Sequence, residues 1–264
     1  MFGGATGRAL AGLLVATAIA VATRRLHALS PSGALAAVAV GTASLAAGWG
    51  WGVLLIAFFV SSIALSRFRA AAKARRTAAV VEKGGERDAV QVLANGGLFA
   101  VGALASLASP WPGWPVLALG ALATAAADTW ATEVGTLAAG PPRSIRSFRP
   151  VTPGTSGGVT LLGTGAALAG AASVALLAGA LGWGPGVAAA AAAGGFAGAM
   201  ADSLLGATVQ ARRWCDRCAL ATERSTHDCG ERTRPAGGLR WLDNDGVNVA
   251  SALVGGLAAL AVAP

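Results

Sequence analysis

The sequence predicts an all-α fold, a polytopic membrane bundle of about eight transmembrane helices that forms a single membrane domain over residues 1–264. Hydrophobic residues make up 55% of the chain and charged residues only 12%, whereas soluble domains usually carry about a quarter charged residues. The charges are also clustered, which leaves long stretches without any. A span needs roughly 20 mostly apolar residues. Eight segments qualify: 5–23, 31–48, 50–66, 89–108, 113–134, 157–182, 186–207 and 246–263.

The connections between these segments alternate between uncharged and basic. Three short turns, GWG, SPWPGWP and GWGPG, carry Trp but no charge, which is typical of an interfacial aromatic belt. The other connections hold every Lys and Arg except Arg8, within 24–25, 67–87, 143–149 and 212–240. With eight spans, these four connections share one face, and the positive-inside rule makes that face cytoplasmic. Both termini are then on the non-cytoplasmic side, and we expect a bacterial or archaeal plasma membrane.

The net charge of +8 is interpreted as this topology signal. No basic helix interleaved with aromatic residues accompanies it, so we expect membrane lipids and no nucleic acid among the partners. The sequence also contains a faint internal repeat: the fifth and seventh segments end in the similar stretches ADTWATEVG and ADSLLGATV. Two similar helical hairpins in parallel orientation commonly build a membrane site at their interface.

Acidic and amide side chains gather at the basic end of four different segments. They are Asp128 and Glu133 on the fifth segment, Asp202 on the seventh, Asp88, Gln91 and Asn95 at the start of the fourth, and Asp243, Asn244, Asp245 and Asn248 at the start of the eighth. Carboxylates at membrane depth are costly and are retained mainly where they face a cavity, a partner or an ion. The pattern therefore predicts one shared site at the cytoplasmic end.

Mg²⁺ is the predicted cofactor of that site, because it takes oxygen ligands and usually keeps water while bridging substrate phosphates. Its predicted ligands, direct or through water, are Asp128, Asp202, Asp243 and Asp245, with Asn95 and Asn248 as neutral oxygen donors. Glu133 is harder to include, because five residues place it about 140° from Asp128 on an ideal helix. Either the helix bends near Gly135 or Glu133 pairs with an arginine.

The stretch RSFRPVTPGTSGGVT, residues 146–160, is predicted to bind phosphate. Arg149 offers a planar fork for phosphate oxygens. The residues Thr155, Ser156, Gly157 and Gly158 lead into the sixth segment, and a glycine-rich helix N-terminus presents backbone N–H groups to an anion. The stretch is not a Walker A motif, because no Lys follows the glycines. The alternative is an ordinary loop with an N-cap.

The insert at residues 209–243 contains the most specific local metal signal, WCDRCALATERSTHDCG. Cys215 and Cys218 form C-x-x-C, and His227 and Cys229 follow as H-x-C. Three thiolates and one imidazole match a closed, structural Zn²⁺ site, and thiols in a cytoplasmic loop stay reduced. The alternative is a redox-sensitive C-x-x-C with an unrelated histidine.

An ordered set of motifs resembles an integral-membrane family with a domain-of-unknown-function label, which includes transmembrane protein 19 and the plant phytyl-phosphate kinase. The motifs are RDAVQVLANGG, ADTWATEVG, TPGTSGGVT, ADSLLGATVQ and LDNDGVN, and the resemblance covers nearly the whole chain. Matching positions are Arg87, Asp88, Gln91, Asn95, Asp128, Glu133, Thr155, Gly157, Gly158, Asp202, Asn244 and Asn248.

The resemblance implies transfer of a phosphoryl group from a nucleoside triphosphate, CTP or ATP, to an isoprenoid monophosphate such as a prenyl or phytyl phosphate. The expected catalytic carboxylates are Asp128, Asp202 and Glu133, and the expected phosphate-binding residues include Arg149 and the region around Gly157. Two alternatives stay open. One is a transporter or scramblase of a phosphorylated lipid, which the hairpin repeat suggests, and the other is a lipid-phosphate cytidylyltransferase or phosphatase.

Overall fold

The computed structural model describes residues 4–78, 80–81 and 85–264. Within these residues the chain forms nine helices and five short strands. The helices are α1 (Ala5–Arg25), α2 (Pro31–Ala47), α3 (Trp49–Arg67), α4 (Ala70–Thr77), α5 (Ala89–Ala108), α6 (Gly113–Gly135), α7 (Leu161–Ala180), α8 (Pro185–Thr208) and α9 (Asn244–Val262). The strands are β1 (Arg143–Ser144), β2 (Gly158–Val159), β3 (Arg212–Cys215), β4 (Leu220–Thr222) and β5 (Arg234–Gly237).

The eight long helices match the eight predicted segments, with every boundary within four residues of the predicted one. Six of them are long and apolar enough to cross a membrane, namely α1, α3, α5, α7, α8 and α9. The apolar helix α2 has 17 residues, and α6 carries Asp128 and Glu133 near its end. Large apolar side chains such as Leu14, Leu35 and Leu176 are exposed on the outer surface, as lipid-facing residues would be. The chain is therefore a polytopic helical membrane protein.

Side-chain N-caps mark one end of the bundle. The helices α2, α5, α7 and α9 begin at the basic end, and each has a capping side chain that accepts a backbone N–H: Ser30, Asp88, Thr160 and Asp243 respectively. The helices α3, α6 and α8 begin at the other end, after Gly48, Pro112 and Gly184, without a side-chain cap. A cap satisfies otherwise orphaned donors, so polar residues at the basic end also fix where four helices start.

Helix α6 lies at the centre of the bundle and packs against α5, α7, α8 and α9. Its residues Ala118 to Ala127 are all buried. Glycines allow these helices to approach closely, as small residues do between membrane helices. A Cβ atom on Gly120 of α6 would lie 2.6 Å from the carbonyl oxygen of Gly255 on α9. Cβ atoms on Gly198 of α8 or on Gly255 would overlap Thr124 Oγ1 of α6.

The two ends of the bundle differ as the sequence predicts. At one end the tryptophans cluster, and the rings of Trp51 and Trp183 are 4.8 Å apart between centroids. At the other end the basic connections contact one another. Leu29 forms a β-bridge with Arg87, and Thr222 Oγ1 donates a hydrogen bond to the Val80 carbonyl over 3.1 Å. The common face of the four basic connections is thus observed, whereas its cytoplasmic orientation stays a prediction.

One predicted element boundary is wrong in a way that matters for the site. The sixth segment is predicted to begin at residue 157, with Thr155, Ser156, Gly157 and Gly158 leading into it as a glycine-rich helix N-terminus. Instead β1 and β2 form a two-stranded antiparallel sheet that pairs Ser144 with Gly158, and α7 begins at Leu161 after the Thr160 cap. Gly157 and Gly158 therefore lie in a loop and strand ahead of the helix.

We expect Gly255→Ala to destabilise the bundle by about 2 kcal/mol, because the new methyl group would overlap Thr124 at the contact of α6 with α9. The matched control is Gly165→Ala on α7, where nothing lies within 4 Å of the position of a Cβ atom. Thermal unfolding of both variants in detergent measures the difference. Equal stability of the two variants would contradict the close packing described for α6, α8 and α9.

Candidate functional site

A cavity of about 1250 Å³ opens at the basic end of the bundle. Its walls come from α3, α4, α5, α6, α8, α9, the glycine loop before α7, and the β3–β5 segment. The predicted residues that line it are Arg87, Asp88, Gln91, Asn95, Asp128, Glu133, Thr155, Ser156, Gly157, Gly158, Asp202, Asp243, Asn244, Asp245 and Asn248. One cavity therefore gathers residues from helices that are far apart in the sequence.

Asp128 and Asp202 are the two carboxylates at the inner end of this cavity. Asp128 lies seven residues before the end of α6, and Asp202 six before the end of α8, which is about 10 Å inside the helix ends. The two groups are close enough to interact electrostatically. Ser251 of α9 donates a hydrogen bond to Asp202 Oδ2 over 3.0 Å. Two neighbouring carboxylates at this depth form an arrangement that a cation would stabilise.

The start of α9 contributes the remaining predicted magnesium ligands. Asp243 is exposed, and its Oδ1 caps the helix by accepting a hydrogen bond from the Gly246 N–H over 3.0 Å. Asp245 is buried, with 2% of its surface exposed. Within the part of the chain that the structure describes, these carboxylates do not form a group of three with Asp128 and Asp202 as compact as the Cys–His cluster of the insert. The donor set suits Mg²⁺, which is usually bound through one or two carboxylates, substrate phosphates and water.

The polar residues at the start of α5, Asp88, Gln91 and Asn95, have a structural role as well as a place in the cavity. Asp88 Oδ1 accepts a hydrogen bond from the Gln91 N–H over 2.9 Å, and Gln91 Oε1 accepts one from the Asp88 N–H over 3.1 Å, which is a capping box. Asn95 donates from Nδ2 to the Gln91 carbonyl over 2.9 Å. The box fixes the start of α5, and Asn95 lies further inside the cavity.

Glu133 forms an ion pair with Lys73 of α4. Lys73 is buried and also donates to the carbonyl oxygens of Leu65 and Ser66. Ser66 Oγ donates to Glu133 Oε1 over 2.6 Å. The predicted arginine partner is thus replaced by a lysine, and binding of a metal ion by Glu133 stays a prediction. The pair ties α4 to the end of α6.

Arg87 reaches into the same network from the start of α5. Its backbone is held by two hydrogen bonds to the α1–α2 connection, from Ser30 N–H and to the Ala28 carbonyl, each 3.0 Å long. Its Nη2 donates to Ser66 Oγ over 3.1 Å. Burial lowers the pKa of the Arg87 guanidinium, and the nearby Glu133 carboxylate opposes that shift. An arginine remains charged at neutral pH in such surroundings, so Arg87 brings a fixed positive charge to the cavity.

The glycine loop, Thr155–Gly158, packs directly on α8. Gly157 has a φ of +75°, and a Cβ atom there would lie 2.5 Å from both Ala207 Cβ and the Ser203 carbonyl oxygen. Ser156 Oγ donates to the Glu223 carboxylate, which also accepts from Gln210 Nε2 over 2.9 Å. Gly158 N–H is bound to the Thr155 carbonyl over 2.9 Å. The loop thus lies beside Asp202 through packing, not through a helix N-terminus.

Arg149 is the one predicted phosphate-binding residue that does not line the cavity. It is exposed, and its carbonyl oxygen accepts from the Ser144 N–H in the turn beside β1. Several residues that sequence reasoning missed do line the cavity: Ser66, Lys73, Thr129, Arg212, Arg213 and Glu223. The sequence contains a hint for two of these residues. Thr129 directly follows the predicted site residue Asp128, and Lys73 is the single charged residue in the run AAAKA.

The insert at 209–243 forms the three-stranded antiparallel sheet β4-β3-β5. Cys215, Cys218, His227 and Cys229 come together beside it, and their ligand atoms all lie within 4.8 Å of one another. Arg212 and Arg213 of β3 line the cavity. The cysteine cluster therefore lies next to one wall of the cavity and outside its lining.

A second, apolar crevice adjoins the cavity. It is formed by α1, α2, α3 and α5, with apolar side chains such as Val15, Leu55 and Phe59. Arg87, Gln91, Asn95 and Thr129 line both spaces. The polar cavity and the apolar crevice therefore share these four residues as a common boundary. Two such neighbouring spaces suit a molecule with a charged head and a hydrocarbon tail.

Comparison with known proteins is consistent with this architecture. A family model described as an integral membrane protein family, DUF92, matches residues 14–256. Protein PGR of Arabidopsis thaliana is 32% identical, over 94% of this chain and 93% of its own length. An uncharacterized membrane protein of Methanocaldococcus jannaschii is 30% identical, over 76% of this chain and 82% of its own. No solved structure matches the chain.

We expect Gly157→Ala to destabilise the protein by about 2 kcal/mol more than Gly182→Ala. Both glycines have positive φ values, +75° and +81°, so both variants carry similar backbone strain. Only Gly157 has close neighbours, because nothing lies within 4 Å of a Cβ atom on Gly182, and overpacking adds the difference. Unfolding midpoints in detergent measure it. Equal losses would show that the glycine loop is not packed against α8.

Proposed function

The chain belongs to the DUF92 family of integral membrane proteins, and on that premise we propose that it is a membrane-embedded isoprenoid-phosphate kinase. The proposed donor is a nucleoside triphosphate, CTP or ATP, and the proposed acceptor is a prenyl or phytyl monophosphate. The reaction uses Mg²⁺ at the cytoplasmic face, and the proposed location is the plasma membrane of a bacterial or archaeal cell.

The observation that carries the proposal is the junction of two chemically different spaces. The cavity offers neighbouring carboxylates beside several guanidinium groups, and the adjoining crevice is apolar. A lipid phosphate has the same two parts. In this proposal its phosphate binds in the cavity, and its hydrocarbon chain binds along the crevice between α1, α2, α3 and α5.

The proposed reaction joins two phosphates. A phosphate oxygen of the lipid attacks the terminal phosphorus of the nucleotide, and the bond from that phosphorus to the bridging oxygen breaks. The products are a lipid diphosphate and a nucleoside diphosphate. The acceptor is already an anionic nucleophile, so the reaction depends on positioning and charge neutralisation more than on a strong base.

The carboxylates of Asp128 and Asp202 are the proposed metal-binding groups. When bound, Mg²⁺ supplies neutralisation of phosphate charge and an octahedral template. Asp245 and Asn248 face the same cavity and would hold its water ligands. The exposed Asp243 acts as the N-cap of α9 and has a supporting place in this proposal.

Phosphate charge is matched by cations around the cavity. Arg87 lies at the junction with the crevice, while Arg212 and Arg213 lie on β3 toward the mouth. Planar guanidinium groups bind phosphate oxygens in pairs. The exposed Arg149 is replaced in this role by these three arginines. Glu133, bound to Lys73 and Ser66, serves to position α4 and Arg87.

Purified protein given Mg²⁺, CTP or ATP, and a panel of prenyl phosphates should form lipid diphosphates that mass spectrometry detects. Asp128→Asn and Asp202→Asn should lower turnover by roughly 100-fold or more, because each removes a negative carboxylate that would bind the metal ion, and the metal is what neutralises the phosphates. The control is Glu231→Gln, which neutralises an exposed carboxylate outside the cavity and should leave turnover unchanged.

Other products would replace the proposal. A nucleoside-diphosphate lipid indicates a cytidylyltransferase, and a free alcohol with inorganic phosphate indicates a phosphatase. Lipid-phosphate movement across liposomes without nucleotide indicates a transporter or scramblase. If no donor in the panel phosphorylates any prenyl phosphate, the kinase proposal is wrong.

The apolar crevice allows a separate prediction about where the hydrocarbon chain of the acceptor binds. Ala37→Phe narrows the crevice and should raise the KM for a long prenyl phosphate roughly 10-fold, because the lost apolar burial is worth about 1–2 kcal/mol. The KM for the nucleotide should stay the same. Steady-state kinetics with a long and a very short acceptor measure the effect.

The matched control is Ala39→Phe on the same helix, which adds the same side chain at an exposed position outside the crevice. It should behave like the unmodified protein. If both variants change the KM for the long acceptor equally, or if neither does, the tail binds elsewhere.

A further inference from the structure

We propose that Cys215, Cys218, His227 and Cys229 bind one structural Zn²⁺ ion, which holds the β3–β5 sheet in place as a wall of the charged cavity. This inference does not rest on the proposed kinase activity. Four protein ligands close the coordination sphere of Zn²⁺ and leave no open position for catalysis, so the ion would act through the architecture of the insert.

The spacing of the ligand atoms fits a tetrahedral metal site. The Sγ atoms of Cys215 and Cys229 are 3.6 Å apart, and His227 Nδ1 lies 3.3 Å from Cys229 Sγ. With Zn–S bonds of about 2.3 Å and Zn–N bonds of about 2.0 Å, a tetrahedron has edges of roughly 3.8 Å between sulfurs and 3.5 Å between sulfur and nitrogen. A disulfide would require about 2.05 Å. The observed distances lie close to the tetrahedral edges.

The imidazole of His227 supports the same conclusion. The residue is buried, with 7% of its surface exposed. Its Nδ1 faces the Cys229 thiol and backbone, and its Nε2 is buried without a hydrogen-bond partner among the described residues. A metal bound through Nδ1 would offset part of the cost of burying this imidazole among thiols, while Nε2 would keep its proton. The support from this ring is therefore the position of Nδ1 beside the Cys229 thiol.

The local backbone presents the ligands as two facing turns. Cys215 ends β3, and Cys218 lies in the turn that leads to β4, where Ala219 has a φ of +49°. The second pair lies in a tight turn closed by a hydrogen bond from the Gly230 N–H to the His227 carbonyl over 2.9 Å. Positive φ at these positions allows the chain to reverse and aim both pairs at one point.

The insert has little else to stabilise it. Few of its apolar side chains are buried, with Leu242 among them, and its seven arginines are Arg212, Arg213, Arg217, Arg224, Arg232, Arg234 and Arg240. Folded units this small usually need a metal, a disulfide or packing on a larger body. Here the cluster supplies the metal site, and contacts with the bundle supply the packing.

Those contacts link the metal cluster to the cavity. Thr222 and Glu223, at the end of β4, are bound to the Val80 carbonyl, and Glu223 accepts from Ser156 of the glycine loop. Arg213 of β3 donates from Nε to Thr233 Oγ1 over 2.7 Å. Loss of the metal would therefore loosen Arg213 and the glycine loop together.

The test is the zinc content of the full-length protein, purified in detergent with a tag that binds no metal and measured by plasma mass spectrometry. We expect about one zinc per chain in the unmodified protein. The variant Cys218→Ser should lose most of it, and because Cys218 is exposed, this change leaves the packing of buried Cys215 intact. The matched control is Asp228→Asn, which lies between two ligands in sequence but pairs with Arg224 and should keep its zinc.

A second readout tests the architectural role. Removal of zinc by a chelator should speed tryptic cleavage within 209–243 several-fold, and adding zinc back should reverse it. Protein with all thiols reduced but less than about 0.1 zinc per chain, or a disulfide between two of these cysteines, would overturn the proposal. Zinc content without kinase activity contradicts only the proposed function, and activity without zinc contradicts only this inference.

Discussion

The close contact of α6, α8 and α9 around Thr124 is the constraint on which the rest of the structure depends. Gly198 and Gly255 both lie against the Thr124 hydroxyl, where a larger residue would not fit. Asp128 lies one helical turn beyond Thr124 on α6, toward the basic end, and Asp202 lies one turn beyond Gly198 on α8. On the antiparallel α9, Gly255 leads to Ser251, which donates to Asp202. Glycine packing at one level thus sets the distance between carboxylates at the next.

Polar contacts at the basic end hold the connections between helices against the packed helix ends, and so form the cavity. Carboxylates inside a membrane protein persist where they meet partners or a cavity. Here Glu133 has Lys73 and Ser66, and Arg87 shares Ser66 with it. Because α4 is tied to α6 by this network, the basic connections fold over the helix ends and enclose a space instead of extending into solvent.

Features encoded by local sequence were predictable, and features made by distant contacts were not. The long helices follow from uninterrupted apolar runs and from turns rich in Gly, Pro and Trp. Asp88 and Gln91 were predicted only as residues of the polar site, and their capping box was not predicted. The predicted start of α7 was wrong, because Gly158 pairs in a two-stranded sheet with Ser144, fourteen residues earlier. Lys73 was missed because an eight-residue helix in a basic run gives a weak pattern. Arg149 was predicted to bind phosphate because of its neighbours in sequence, whereas Arg212 and Arg213, which the sequence pattern did not single out, line the cavity.

The placement of charge along the cavity also orders the two substrates of the proposed reaction. The crevice meets the cavity at Asn95 and Thr129, and Thr129 follows Asp128, so a lipid phosphate whose tail fills the crevice reaches the carboxylates from the side of α5. Arg212, Arg213 and the glycine loop belong to other walls of the cavity, near the insert and α8. A nucleotide held there would bring its terminal phosphate to the same carboxylates from the other direction. The proposed in-line phosphoryl transfer requires opposed approach of the two phosphates, and the helix packing around Thr124 positions the carboxylates at which we propose that they meet.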